Sequence, residues 1–279
     1  MTFDTPSSID LTGRVAIVTG GGQGIGRAIA QSLAAAGAGV AVVARTRERI
    51  QETVDMICSA GHRSIALAGD VTDPNAVDEI AARVLAELGP VDLLVNNAGS
   101  AAAIGPVWEV DPREWWRDVE VNLRGPFLFC RAILPGMIAR GSGRIVNLSS
   151  YVANGPASYL SSYACSKTAL LRLTDTLAAE TRQHGISVFA VSPGRVRTAM
   201  TEHVIESAAG KKFLPQVAAL PAEAYLPPER AATLVVKLAT GVADRLSGRF
   251  LHVQDDLEAL IQRTDEIEQS DSYALRLRK

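Results

Sequence analysis

Between an apolar run and a helical stretch lies the segment Thr19-Gly20-Gly21-Gly22-Gln23-Gly24-Ile25-Gly26. It constrains the fold more than any other part of the chain. Its glycines permit a tight turn with positive φ and let backbone N–H groups approach a pyrophosphate closely. The helix that opens there adds orphan donors and a partial positive charge. Gly20, Gly24 and Gly26 give the spacing GxxxGxG rather than GxGxxG. A glycine loop alone is weak evidence, but a strand before and a helix after make it a dinucleotide site. The expected contacts are Gly20, Gly22, Gln23, Gly24, Ile25 and Gly26.

The rest of the chain repeats that strand–helix rhythm. β-branched apolar runs occur at residues 15–18, 40–43, 64–68, 91–95, 144–147 and 186–191, with a last one at 250–253. Most lack in/out alternation, as strands covered on both faces do. Asp73-Pro74 and Asp111-Pro112 mark helix starts, and Gly37 and Gly61 mark helix ends. Such units with right-handed crossovers predict an α/β fold: a doubly wound, mostly parallel sheet in three αβα layers. No linker, low-complexity tract or repeat interrupts it, so residues 1–279 are expected to form a single domain. Residues 199–228 carry Pro215, Pro221, Pro227 and Pro228 and read as a helical substrate lid. Residues 254–279 read as a charged C-terminal extension, a short helix and a polar tail.

Bulk properties narrow the function. The formal net charge of the 279 residues is -2, aromatics make up 5%, and no basic tract is interleaved with aromatics, so a nucleic-acid partner is not expected. No apolar run reaches ~18 residues, and Met1 to Asp10 shows no leader pattern, so no membrane partner is expected either. Cys58, Cys130 and Cys165 are read as reduced, mostly buried thiols of a cytoplasmic protein, with Cys165 packed away from the catalytic face. His62, His184, His203 and His252 lack metal-ligand spacing, so no metal is expected.

In such folds the end of the second strand approaches the adenosine ribose. Here it reads Ala44-Arg45: no carboxylate for a free 2′-hydroxyl, but a guanidinium suited to a 2′-phosphate. NADP(H) is the preferred cofactor. Gln23 is a counterweight, since a basic residue in the loop would have reinforced phosphate binding; NAD(H) is the alternative.

Tyr163 and Lys167 are four residues apart in the helical stretch Ser161–Thr181 and so share a helix face. A cation ~4 Å from a phenol, at an effective dielectric of ~20, favours the phenolate by ~4 kcal/mol, roughly three pKa units. Helped by an oxidised nicotinamide, that makes Tyr163 a candidate acid/base. A lone YxxxK is common by chance, but Ser150, Asn96-Asn97-Ala98-Gly99 and Ser192-Pro193-Gly194 with Thr198 all follow expected strands. They place several polar groups on the carboxyl rim, where ligands bind in open α/β sheets.

Taken together, Thr19–Gly26, Asp70-Val71, Asn96–Gly99, Asn122, Ser150, Tyr163xxxLys167 and Ser192-Pro193-Gly194 with Thr198 resemble the short-chain dehydrogenase/reductase family, a single-domain Rossmann type. The motifs run in that family's order from residue 11 to about 253. The resemblance implies that Tyr163 exchanges a proton with the substrate oxygen and Ser150 holds that oxygen. It implies that Lys167 binds the nicotinamide ribose and lowers the tyrosine pKa, and that Asn122 holds a water of a proton relay. Asp70 and Val71 would flank adenine, Asn97, Ala98 and Gly99 would line the cofactor, and Pro193, Gly194, Val196 and Thr198 would contact the nicotinamide end. A homodimer or homotetramer is implied, although the added C-terminal residues put the usual tetramer interface in doubt.

The expected activity is NADP(H)-dependent interconversion of a ketone and a secondary alcohol, with a small carbonyl or alcohol compound as partner. The alternatives are an NAD-dependent alcohol dehydrogenase and a non-catalytic nucleotide-binding module. Met200, Phe213, Leu214, Val217, Leu220 and Tyr225, with Trp108 nearby, suggest an apolar pocket.

Overall fold

The computed structural model describes residues 9–276. The first eight residues, including most of the stretch read for a leader, and the end of the polar tail, residues 277–279, lie outside the described residues. The elements are β1 Val15–Thr19, α1 Gly24–Ala35, β2 Gly39–Ala44, α2 Arg47–Ser59, β3 Ser64–Ala68, α3 Pro74–Glu87, β4 Leu93–Asn96, α4 Pro112–Val119, α5 Gly125–Arg140, β5 Gly143–Leu148 and α6 Ser161–Thr181. They continue with β6 Ile186–Ser192, α7 Ala199–Glu206, α8 Ala208–Phe213, α9 Pro215–Ala218, α10 Glu229–Thr240, β7 Phe250–His252, α11 Leu257–Gln262 and α12 Thr264–Ser270.

The sheet runs β3-β2-β1-β4-β5-β6-β7, and every pairing is parallel. Successive strand residues serve opposite helix layers. Ala16 and Val18 pack with Ile29, Leu33 and Val235 of α1 and α10, while Val15 and Ile17 pack with Ile80, Phe129 and Leu177 of α3, α5 and α6. Both faces are therefore dry, which is why the central strands read as unbroken apolar runs.

The helix starts follow from local chemistry. Asp73 accepts a bond from Asn75 N at 2.9 Å ahead of Pro74, and Asp111 caps Arg113 N at 2.7 Å ahead of Pro112. Gly37 and Gly61 close α1 and α2 with positive φ. Two boundaries differ from expectation. β4 begins at Leu93 because Val91-Asp92 is spent on the approach loop, where Asp92 accepts from Val15 N at 2.9 Å. The C-terminal segment forms two helices, because Leu257, Leu260 and Ile267 bury an apolar stripe against the α1/α10 layer.

Candidate active site

The strand order reverses between β1 and β4, and the crevice above that switch point holds the dinucleotide loop. Gly20 has φ +66°, and a Cβ at Gly26 would stand 2.3 Å from the Gly20 carbonyl oxygen, so neither position tolerates a side chain. Thr19 and Asn97 hold the loop from behind. The Thr19 hydroxyl accepts from Asn97 N and Ala98 N at 3.0 and 3.1 Å, and the Asn97 amide donates to Thr19 O at 2.9 Å. This bare backbone at the start of α1 is a cradle for phosphate, and the residues present fit a dinucleotide.

Gly20, Gly22, Gln23, Arg45, Asp70, Val71, Ala98 and Gly99 line one cleft of about 250 Å³. Gly24, Gly26 and Asn97 shape the loop without lining that cleft. Sequence reasoning missed two guanidiniums there. Arg49, in the first turn of α2, donates to Gln23 Oε1 at 2.5 Å, so the next helix brings a guanidinium to the loop. Arg117 of α4 donates to Asp70 Oδ2 at 2.5 Å and Thr72 Oγ1 at 2.7 Å. The Thr72 and Arg117 bonds together hold the Asp70 carboxyl below its ordinary value, outweighing the larger single effect of burial. The i, i+2 spacing of Arg47 and Arg49 was visible, but not which of them turns inward.

A second cavity, about 1210 Å³, opens over β5 and β6. Ile25, Ser150, Tyr163, Pro193, Gly194, Val196 and Thr198 line it. The expected apolar pocket needs correcting. Of the expected residues Met200 and Val217 line it and Leu214, Leu220 and Tyr225 do not; Val204 and Leu226 add apolar surface, but Asn154, Arg195, Glu223, His252, Gln254 and Asp255 line it as well. Phe213 lies outside this lining; it stacks on Tyr159 at 5.2 Å between centroids, and Trp108 is exposed. The thiols need correcting too: Cys130 is buried, but Cys58 and Cys165 are exposed. Cys165 does turn from the Tyr163 face, as two helical positions require, yet finds no packing partner in the chain's core.

Ser150 follows β5 and caps the turn Tyr151–Asn154. Its hydroxyl also stands near the Tyr163 phenol and favours the phenolate. Lys167 is buried behind the tyrosine, its Nζ 5.7 Å from the ring centroid and donating to Leu148 O at 2.7 Å. The expected strong depression of the tyrosine pKa does not hold in this structure. Burial, joined by the Asp118 charge, pushes Tyr163 above its ordinary value and outweighs Ser150. Burial also brings Lys167 down to about 8, so it is a weaker cation than the ~4 Å estimate assumed.

Asn122 sits in a π-helical turn, Glu120–Arg124. Its carbonyl accepts from Ser100 N at 2.9 Å, and its amide donates to Ser100 O and Ser166 Oγ at 2.7 and 3.0 Å. These contacts tie it to α6 and the β4 loop rather than to Lys167.

Asp118, missed by sequence reasoning, is the other fixed point. It is 0% exposed. It accepts from Ser162 Oγ at 2.7 Å, Ala102 N at 3.0 Å, Ala103 N at 3.1 Å and the Ser100 hydroxyl. One turn earlier, Trp115 Nε1 donates to Ser161 Oγ at 3.0 Å. Thus α4 pins the first turn of α6, and with it Tyr163. An acidic residue in an apparent surface helix gives no sequence signal of this.

The family model for short chain dehydrogenase matches residues 14–209. The chain belongs to the short-chain dehydrogenase/reductase family. A short chain dehydrogenase of Pseudocercospora fijiensis is 45% identical over 191 residues, 67% of this chain and 61% of that protein. The short chain dehydrogenase pigC of Monascus ruber is 33% identical over 278 residues, 97% of this chain and 88% of its own length. Among solved structures, actinorhodin polyketide ketoreductase (F189W, with NADPH) is 32% identical with a TM-score of 0.78, covering 86% of this chain and 95% of that one. This member of the family is accordingly an NAD(P)-dependent oxidoreductase with a Rossmann-like α/β fold.

Proposed function

We propose that this short-chain dehydrogenase/reductase reduces a ketone of a small molecule to a secondary alcohol, with NADPH as donor. The observation that carries the reading is that Ser150 and Tyr163 line one cavity, beside the dinucleotide cleft, with Lys167 buried next to the tyrosine. When bound, the nicotinamide supplies the hydride. The chain's own residues then handle the oxygen. Ser150 donates to the carbonyl oxygen and orients it toward the phenol. Tyr163 gives that oxygen its proton, and its raised pKa keeps the proton in place until the oxygen becomes basic. Lys167 spends one donor on Leu148 O and keeps a positive charge near the phenolate that is left. The bonds of Asn122 to Ser100 and Ser166 support a role in holding α6.

NADPH over NADH is supported by three features: Arg45 lies exposed at the cleft rim, Arg49 is anchored beside it, and Ala44 offers no carboxylate. The actinorhodin ketoreductase, with NADPH, agrees in both cofactor and reaction. The test is a panel of ketones and secondary alcohols assayed with NADPH, NADH and their oxidised forms, following the absorbance of the reduced nicotinamide. NADH-only turnover would overturn the cofactor reading; alcohol oxidation without ketone reduction would overturn the direction.

We also infer a cytoplasmic, self-associating protein with a helical lid at residues 199–228. Exposed free thiols at Cys58 and Cys165 suit a reducing compartment. Exposed Trp116 and Phe127 on α4 and α5 supply apolar surface for a second copy. Sedimentation of the purified chain as a monomer at micromolar concentration would reject self-association.

A further inference from the structure

Behind the main cavity lies a second hollow of about 210 Å³. Four residues, Tyr151, Asn154, His252 and Asp255, line both. The far wall is apolar: Leu171 and Phe250 from the body of the fold, and Tyr273 and Leu275 from the C-terminal tail.

That tail is held firmly. Phe250 N donates to Tyr273 O at 2.7 Å, and Arg172 donates to Leu275 O at 2.7 Å. Arg249 pairs with Asp271 at 2.6 Å, and Arg276 pairs with Asp175 at 2.7 Å. A wall tied at four points is preformed, so filling the hollow costs little ordering entropy. Between the two cavities stand the rings of Tyr151 and His252, edge to face at 6.2 Å. Tyr151 is 70% exposed, so its ring can turn aside without disturbing the core.

We propose that this hollow is a distal subsite for the uncharged aromatic end of an elongated ketone whose reacting carbon stands at Tyr163. The inference rests on the reductase reading of the main cavity. Its occupant follows from continuity, size and charge. The shared lining makes the hollow an extension of the reacting site. An apolar cavity of ~150 Å³ is enough for benzene, so 210 Å³ accepts a phenyl group. Asp255 in the shared wall disfavours an anionic end, and among the described residues no Lys or Arg side chain lines the hollow to offset it.

The experiment uses the full chain with NADPH and a series of methyl ketones, from 2-butanone to those carrying a terminal phenyl on arms of increasing length. In the wild type, kcat/KM rises at least about tenfold at one arm length, the gain expected from burying one ring. Ala274→Trp fills the hollow, and the ratio of long-arm to 2-butanone kcat/KM falls by the same factor. Leu275→Ala widens it and moves the optimum to a bulkier end group. A long-to-short ratio within twofold of wild type in both variants overturns the subsite. If no ketone is turned over, the reductase reading fails first. Calorimetric titration of the NADP-loaded protein with a phenylalkyl alcohol then decides the subsite separately. Binding in the wild type that Ala274→Trp weakens tenfold supports it; equal binding, or none in the wild type, overturns it.

Discussion

The phosphate end and the reacting end of this cleft are built by opposite means. At the phosphate end the wall is backbone: glycines with no side chain to intrude, N–H groups at a helix start, and a hydroxyl and an amide bracing the turn from behind. At the reacting end the work falls to side chains: Tyr163 lines the cavity, while Lys167, Asp118 and Asn122 are withdrawn from water around it, carried by helices distant in sequence. The contrast follows from the tasks. An anion of fixed charge is best met by fixed dipoles, which need a particular chain path. A proton in transit needs groups whose charge is soft, and burial is what softens it.

Four measurements press on that contrast, in order of expected size. Tyr163→Phe should lower kcat roughly 10²–10⁴-fold while NADPH affinity, read by fluorescence titration, stays put. Retained turnover would strip the reacting end of its proton donor. Lys167 comes next. Its pKa is near 8 in the folded protein against an ordinary 10.5, so between those values the unfolded chain binds more protons. Stability therefore rises with pH from about 8, by about 3 kcal/mol in all. Tyr163, held above its ordinary 10, opposes this only beyond about pH 10. Urea unfolding at about pH 7.5, below that window, and at about pH 9.5, well inside it, should show a rise that Lys167→Met lacks. A rise of equal size in the variant would mean that the lysine is not the source.

Asp118→Ala strands two backbone N–H groups and two hydroxyls and should cost at least about 2 kcal/mol. Removing the Asp118 charge also removes one cause of the raised Tyr163 pKa. The alkaline limb of the activity profile should then move to lower pH, which a purely structural loss would not produce; Asp118→Asn, which keeps the shape, should show the same shift. Arg45→Asp should turn cofactor preference toward NADH by about tenfold, one charge-assisted hydrogen bond's worth. An unchanged NADPH-to-NADH ratio would move the phosphate contact to Arg49.

How far the sequence could be read divides along the same line. The glycine loop, the capped starts at Asp73 and Asp111, and the span of α6 were legible because each depends on neighbours in the chain. Ser150, Tyr163 and Lys167 were legible as types in order along the rim. The state of Tyr163 was not, because the balance between burial and Lys167 is set by depth and by a 5.7 Å separation that helical spacing does not determine. Asp118 and Arg49 were invisible for a related reason: their partners, Ser162 and Gln23, lie 44 and 26 residues away. Much of the polar lining of the main cavity escaped as well, since His252, Gln254 and Asp255 reach the rim only through the fold.

The last strand carries one more consequence. Of its outward backbone donors, Phe250 N is taken by the tail carbonyl of Tyr273 and His252 N by the carboxylate of Asp255 at 2.7 Å. An exposed margin of this kind ordinarily invites other chains to add on and seeds aggregation. Here the polypeptide sutures its own border, so growth of the sheet through β7 is closed off.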